Sequence, residues 1–167
     1  MAAIVRRIRA LPAERGAELI EMAIVTPILM LIVAGIFDFG MMFRAWEVVT
    51  NAAREGARVG VLPAYTDDQN VVDRVEQYMQ ASGVAGSCSL QTAAGGVCPA
   101  SECSVCVQSA DLATGAGTYA ARFVTVTSRQ QLPSLSVIGT FFGGSFTSVN
   151  VSSTSAMRTE VQGAPAP

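Results

Sequence analysis

The chain has 167 residues, of which half are hydrophobic and 14% are charged, and its formal net charge is −2 at pH 7. It contains no histidine and no lysine, so all 11 basic residues are arginine. The side chains used most often as general bases, metal ligands and Schiff-base nucleophiles are therefore missing. We predict no enzymatic activity, no catalytic residues, no cofactor and no metal site, and no nucleic acid among the partners.

A short basic leader, residues 1–16, is the first segment that the sequence predicts. Its side chains up to residue 15 sum to +3, from four arginines and one glutamate: Arg6, Arg7, Arg9, Arg15 and Glu14. Basic residues before an apolar segment are typical of the cytoplasmic side of a membrane protein. We therefore expect the N-terminus to stay in the cytoplasm while the rest of the chain is exported.

A long helix over residues 17–62 follows the leader. Residues 22–37 carry no charge, and the apolar character resumes after Asp38 and continues to Phe43. As a helix, residues 22–43 would span about 33 Å at ~1.5 Å per residue, which is enough to cross the hydrocarbon core of a bilayer. A cleaved secretory signal fits less well, because its apolar region is shorter. Pro27 should kink or loosen this membrane-spanning part.

The exported half of the helix contains the motif NAAREGAR at residues 51–58. Its small residues allow close approach of another element, and Glu55 is placed to pair with Arg58 one turn later. The residues that we assign to helix packing are Ala53, Arg54, Glu55, Gly56 and Arg58. The motif could dock on a partner subunit, but docking on the chain's own sheet is the preferred interpretation.

An exported α+β domain is predicted over residues 63–162, with a disordered tail at 163–167. One further helix should begin after an Asp67 or Asp68 cap and stop at Gly83. Alternating segments at residues 104–109, 119–128 and 147–159 predict strands of a small antiparallel sheet. Residues 132–146 are too apolar for an ordinary exposed loop, and we expect them to join the core or form a contact surface.

Four cysteines lie close together between these elements: Cys88, Cys98, Cys103 and Cys106. An even, clustered set in an exported chain predicts two disulfides, and the sequence leaves three pairings open. A zinc site or a thiol oxidoreductase using the Cys103-x-x-Cys106 spacing is the competing interpretation. Zinc sites usually need two such pairs, and the sequence has one.

Gly16, Glu21 and Asp38 are the candidate functional residues of the N-terminal region. Glycine permits the extended backbone that a protease needs, so cleavage after Gly16 would make Ala17 the new N-terminus. Glu21 lies one helical turn later, where its carboxylate can reach that ammonium or one on a neighbouring chain. Asp38 lies about 26 Å further along the helix. It either marks the far membrane interface or pairs with an arginine of a partner subunit.

The order of these features resembles a known family. The stretch GAELIE is similar to the cut site of type IV prepilins, and EMAIVTPILM, GIFDFGMMF and NAAREGAR follow it. Together with STSAMRTE near the C-terminus, they resemble the TadE-like minor pilins, or pseudopilins, of tight-adherence (type IVc) pili. The resemblance is strongest over residues 16–61.

The resemblance implies a location and partners. The precursor would insert in the bacterial inner membrane, and a prepilin peptidase would cut it between Gly16 and Ala17. The mature protein would then assemble with other Tad pilins and minor pilins, and would later be pilus-associated at the cell surface. Glu21, and by extension Asp38, would act in assembly.

An alternative from a different class is an uncleaved, single-pass membrane anchor. In that case the leader is retained, and the exported domain presents its disulfide loop as a binding or adhesion module. The N-terminus of the protein isolated from membranes distinguishes the two hypotheses.

Overall fold

The computed structural model describes residues 13–62, 67–93, 97–114, 117–144 and 147–159. The first 12 residues of the predicted leader and the predicted tail at 163–167 lie outside these ranges.

Three helices and a four-stranded sheet make up the described part of the chain. They are α1 (Ala13–Gly60), α2 (Asp68–Ala81), β1 (Ser89–Leu90), β2 (Cys103–Thr114), β3 (Gly117–Gln131), α3 (Pro133–Phe142) and β4 (Ser148–Arg158). The sheet order is β1-β2-β3-β4, with β1 parallel to β2 and the other neighbours antiparallel. The predicted α+β class is confirmed. Two details differ from the prediction. The sheet is mixed and not purely antiparallel, and the described part of the chain has two further helices, α2 and α3, where one was predicted.

Helix α1 is 48 residues long and runs without interruption across Pro27. Its C-terminal part packs on the sheet and on α2, where the residues that recur at three- and four-residue spacing are all buried. They are Val49, Ala52, Ala53 and Ala57. This spacing places them on one face, as expected for an amphipathic helix. The N-terminal part of α1 has no such buried face.

Helix α2 begins and ends as its sequence predicts. The Asp67 carboxylate accepts a hydrogen bond from the backbone N–H of Gln69 at 3.0 Å, which is an N-cap interaction. Gly83 lies just beyond the helix with a φ of 67°, a left-handed conformation that favours glycine. Four side chains of the helix are buried against the rest of the domain: Val71, Val72, Val75 and Met79.

The core lies between the helices and one face of the sheet. Val124 and Val126 of β3 are completely buried, and in the register of the sheet Val126 is opposite Val105 of β2. The alternation in RFVTVTS predicts that Val124 and Val126 share a face, and their burial in one cluster confirms it. Arg122 of β3 lies near Gly60 of α1, and Val124, two residues later, packs near Gly56. Strand β3 therefore runs towards the apolar half of α1 as it approaches its end at Gln131.

Helix α3 occupies the apolar segment for which no helix is predicted from the sequence. Two β-branched neighbours and a glycine, Val137, Ile138 and Gly139, weaken its intrinsic helix propensity. Its boundaries nevertheless carry the usual signals, since Pro133 lies in the first turn and Gly143 ends the helix with a φ of 71°. These two positions are the sequence signal by which α3 could have been found.

Candidate functional site

The N-terminal half of α1 presents a continuous apolar surface. Residues 16–33 are exposed along their whole length, and large side chains remain exposed beyond them, with Phe37 at 69% and Phe39 at 67%. Within the described part of the chain, one helix is long and apolar enough to cross a membrane, with a mean hydropathy of 2.4 in its window. This helix fits a single-pass membrane protein.

Gly16, Ala17 and Glu21 all lie on this exposed surface. The helix starts at Ala13, four residues before the predicted start, so the Gly16–Ala17 peptide bond is inside its first turns. Apart from its chain neighbours and the adjacent backbone of α1, no described heavy atom lies within 4 Å of the position that a Cβ on Gly16 would occupy. Glu21 follows Ala17 by one helical turn, which is the spacing that the proposed pairing requires.

Asp38 occupies a different environment from the two that the sequence suggested. It is fully buried, and its carboxylate accepts hydrogen bonds from the backbone N–H groups of Ser134 at 3.3 Å and Leu135 at 2.7 Å. The carboxylate therefore caps the N-terminus of α3, where the helix dipole also favours a negative charge. Asp38 ties α1 to α3 within one chain, a contact that neither of its predicted roles includes.

The NAAREGAR motif docks within the chain. Gly56 is buried so closely that an added Cβ would lie 2.7 Å from Val75 Cγ2 and 3.2 Å from Val124 Cγ1. The motif's small residues thus let α1 contact α2 and β3 together, as the preferred interpretation predicts. The docking on the chain's own sheet leaves Arg54 exposed.

The acidic residue of the motif has two arginine partners. Arg74 of α2 donates to Glu55 Oε1 at 2.8 Å, whereas the predicted partner Arg58 lies 3.8 Å from Glu55 Oε2. The predicted Glu55–Arg58 pair is therefore present, but the shorter contact joins α1 to α2. All these side chains are partly exposed, so the pairs contribute little to stability.

Arg122 of β3 makes two contacts that the sequence does not predict. It donates to the backbone carbonyl of Gly60 at 2.7 Å and pairs with the carboxylate of Asp68. One guanidinium thus satisfies a carbonyl at the end of α1 and an acidic residue in the first turn of α2. An arginine in the middle of a strand carries no sequence signal for such a contact.

The two disulfides are Cys88–Cys103 and Cys98–Cys106. The sequence left three pairings open, and the structure selects one of them. Ser89 pairs with Ser104 in the sheet, which places the preceding residues Cys88 and Cys103 side by side. Cys103 and Cys106 bond to different partners, so they do not form the redox pair of the competing interpretation. In the described ranges no group of three metal-ligating side chains is present.

Comparison with known proteins gives a family match that falls on the N-terminal helix. The chain matches the family model described as TadE-like protein over residues 16–58. The match starts at the glycine of the predicted cut site and ends at the last residue of NAAREGAR, and it covers about a quarter of the chain. No curated protein and no solved structure matches the chain. The match confirms the predicted resemblance over residues 16–58, where the N-terminal helix is similar to TadE-like proteins.

Proposed function

We propose that the protein is a minor pilin, or pseudopilin, of a Tad (type IVc) pilus, which takes part in assembly or initiation after a prepilin peptidase has cut it between Gly16 and Ala17. The observation that carries the proposal is the TadE-like match over residues 16–58. It falls on a helix whose first half is exposed and apolar and whose second half carries a folded domain.

The division of α1 supports an assembly role. Its exposed half can be surrounded by lipid before assembly and by the helices of neighbouring pilins afterwards, since both environments are apolar. Its other half is already covered by α2 and the sheet. The partners are therefore the inner membrane, the prepilin peptidase and other Tad pilins, and they meet the exposed half.

Glu21 is the residue that we assign to subunit pairing. A carboxylate close to lipid is costly unless it is paired, and cleavage at Ala17 creates an ammonium one turn away. In the assembled pilus the Glu21 carboxylate would neutralise the N-terminus of an adjacent subunit and set the axial register. The exported domain would then be carried to the cell surface.

The N-terminus of the protein purified from membranes of its native host tests this proposal. Mass spectrometry should find Ala17 as the first residue. The Gly16→Val variant should accumulate as the full-length precursor, because a β-branched side chain hinders the cut. Gly40→Val is the matched control: this glycine is also in α1, with no other described element near its Cβ position, and the variant should be cut normally.

An intact arginine-bearing leader on the native protein would contradict cleavage and favour the uncleaved anchor. Normal processing of Gly16→Val would show that the cut lies elsewhere.

A further inference from the structure

We infer that α3 is a membrane-interface helix, which lies in the outer boundary of the bilayer beside α1 and fixes the exported domain against the lipid surface. The inference rests on the proposed membrane insertion of α1, and it adds a second lipid contact to it. The ligand is the lipid bilayer itself, at the level where the acyl chains meet the headgroups.

The depth of Asp38 is the first argument. If the hydrocarbon core begins at Met22, Asp38 lies about 24 Å along α1 at ~1.5 Å per residue, whereas the core is ~30 Å thick. Tilting the helix brings Asp38 further inside the core. Because Ser134 and Leu135 donate directly to Asp38, the start of α3 must lie at nearly the same depth.

The backbone N–H groups at the start of α3 already have partners within the protein, as a location in lipid requires. In lipid, each backbone N–H needs a partner within the protein. Pro133 has no N–H, Asp38 accepts from Ser134 and Leu135, and Ser136 donates to the carbonyl of Leu132 at 2.9 Å. The N–H groups that a helix usually leaves to water at its first turn are thus all accounted for.

The side chains of α3 point to the same conclusion. The sequence between Arg129 and Arg158 contains no charged residue. Among the positions of α3 whose side chains the structure describes, Pro133, Val137 and Thr140 are exposed; they recur at four- and three-residue spacing and form one face. Val137 is 61% exposed, and the Thr140 hydroxyl donates to the Val137 carbonyl at 2.7 Å. This face therefore offers an apolar side chain and a hydroxyl that already has a partner.

The surroundings of α3 favour lipid as the occupant of this face. At the level of Asp38 along α1, the side chains of Ile36, Phe37 and Phe39 are apolar and exposed. The start of α3 therefore lies at a depth where the membrane-spanning helix presents apolar side chains to acyl chains. A helix at the interface plane, with its apolar side buried at the headgroup boundary, is a common way for proteins to bind membranes.

Fluorescence quenching by brominated phosphatidylcholine tests the inference on the full chain in vesicles, with enough lipid to keep the chains apart. The only tryptophan is first replaced, as Trp46→Phe, and a single tryptophan is then introduced as Val137→Trp. We expect bromine near the headgroup end of the acyl chain to quench most of its fluorescence. Phe39→Trp is the positive control on α1. Leu62→Trp is the negative control, because it replaces another exposed apolar side chain two residues beyond the C-terminal end of α1.

The outcomes separate this inference from the proposed function. If Phe39→Trp is quenched while Val137→Trp is quenched only by aqueous iodide, α1 is inserted and the inference about α3 is wrong. If neither tryptophan is quenched by the lipid, α1 is outside the bilayer and the proposed insertion fails with it. If Val137→Trp becomes shielded from iodide only at high protein density, a second copy covers α3 and the lipid assignment is overturned.

Discussion

Gly56 shows how a single residue without a side chain can hold two elements together. Its Cα lies at the point where α1 meets both α2 and β3, and an added methyl group would meet Val75 and Val124 at less than ordinary contact distance. Valine has a stiff, branched side chain, so neither neighbour can turn aside easily. The glycine is needed here for close approach, and it is in ordinary helical conformation, since only Gly83 and Gly143 have positive φ among the described residues.

We expect Gly56→Ala to destabilise the exported domain by about 1–3 kcal/mol, the usual cost of overpacking a core. The midpoint of urea unfolding in detergent, followed by the circular dichroism of the sheet, measures this effect. Gly40→Ala is the matched control in the same helix, because no described atom beyond its chain neighbours and the adjacent helix backbone lies within 4 Å of its Cβ position. Alanine's better helix propensity should leave that variant at least as stable as the parent. Equal midpoints for the two variants would contradict the proposed packing role of Gly56.

At the scale of elements, Asp38 is the connection between α1 and α3. The N-cap position of α3 is Leu132, which makes no side-chain cap. The missing cap comes instead from a carboxylate that is 96 residues earlier in the sequence. A buried carboxylate that accepts two backbone N–H groups stabilises a helix start strongly, since it combines charge-assisted hydrogen bonds with the helix dipole.

Removing this carboxylate in Asp38→Ala should loosen α3 while α2 keeps its order. Leaving a buried N–H without its acceptor costs about 1–3 kcal/mol, which corresponds to roughly 5- to 150-fold faster local exchange. Hydrogen–deuterium exchange of peptides from residues 133–142 in the full chain measures the change. Asp73→Ala is the control, because Asp73 is exposed on α2 and its bond within the described part of the chain is with the Gln69 side chain. Unchanged exchange in α3 would show that the cap does not hold it in place.

Local sequence patterns predicted three elements, α1, α2 and β3. The apolar run gives α1, the Asp67 cap and Gly83 delimit α2, and the alternation of β3 is visible in RFVTVTS. The disulfide pairing depends on contacts between strands that no local pattern gives, and the local signals of α3 lie at its boundaries, Pro133 and Gly143. The pairing follows from the register of a two-residue strand, β1, that lies inside an apparent loop. The contacts of Asp38 and Arg122 likewise join positions 96 and 62 residues apart, which no spacing rule connects.

At the scale of the whole molecule, one continuous helix, α1, contains both a segment apolar and long enough to cross a membrane and a segment that packs in the small domain. The first half of α1 is exposed, whereas the second half provides buried residues such as Val49 and Ala53 for the domain core. A pull or rotation applied to the membrane half is therefore passed directly to the domain, because no flexible linker lies between them. This continuity fits a subunit whose position in a fibre is set at its N-terminus.

Glu21→Ala tests that arrangement in the native host. The variant should still be processed at Ala17, because the cut site is intact, but much less of it should be recovered in sheared pilus fractions or in complexes with other pilins. Immunoblots of membrane and fibre fractions measure both. Glu18→Ala is the control, since Glu18 is another exposed acid in the same part of α1. Fibre recovery equal to that of the parent would contradict the assembly role of Glu21.

The order of exposure along α1 has a consequence for extraction from the bilayer. Its first buried residue is Asp38, and everything described before residue 34 is exposed. If the subunit moves from lipid into a fibre as proposed, the interior of its domain is left undisturbed. The free energy of transfer would then go into exchanging acyl chains for neighbouring helices around α1 and into removing α3 from the bilayer, while the disulfide-bonded domain keeps its folded structure.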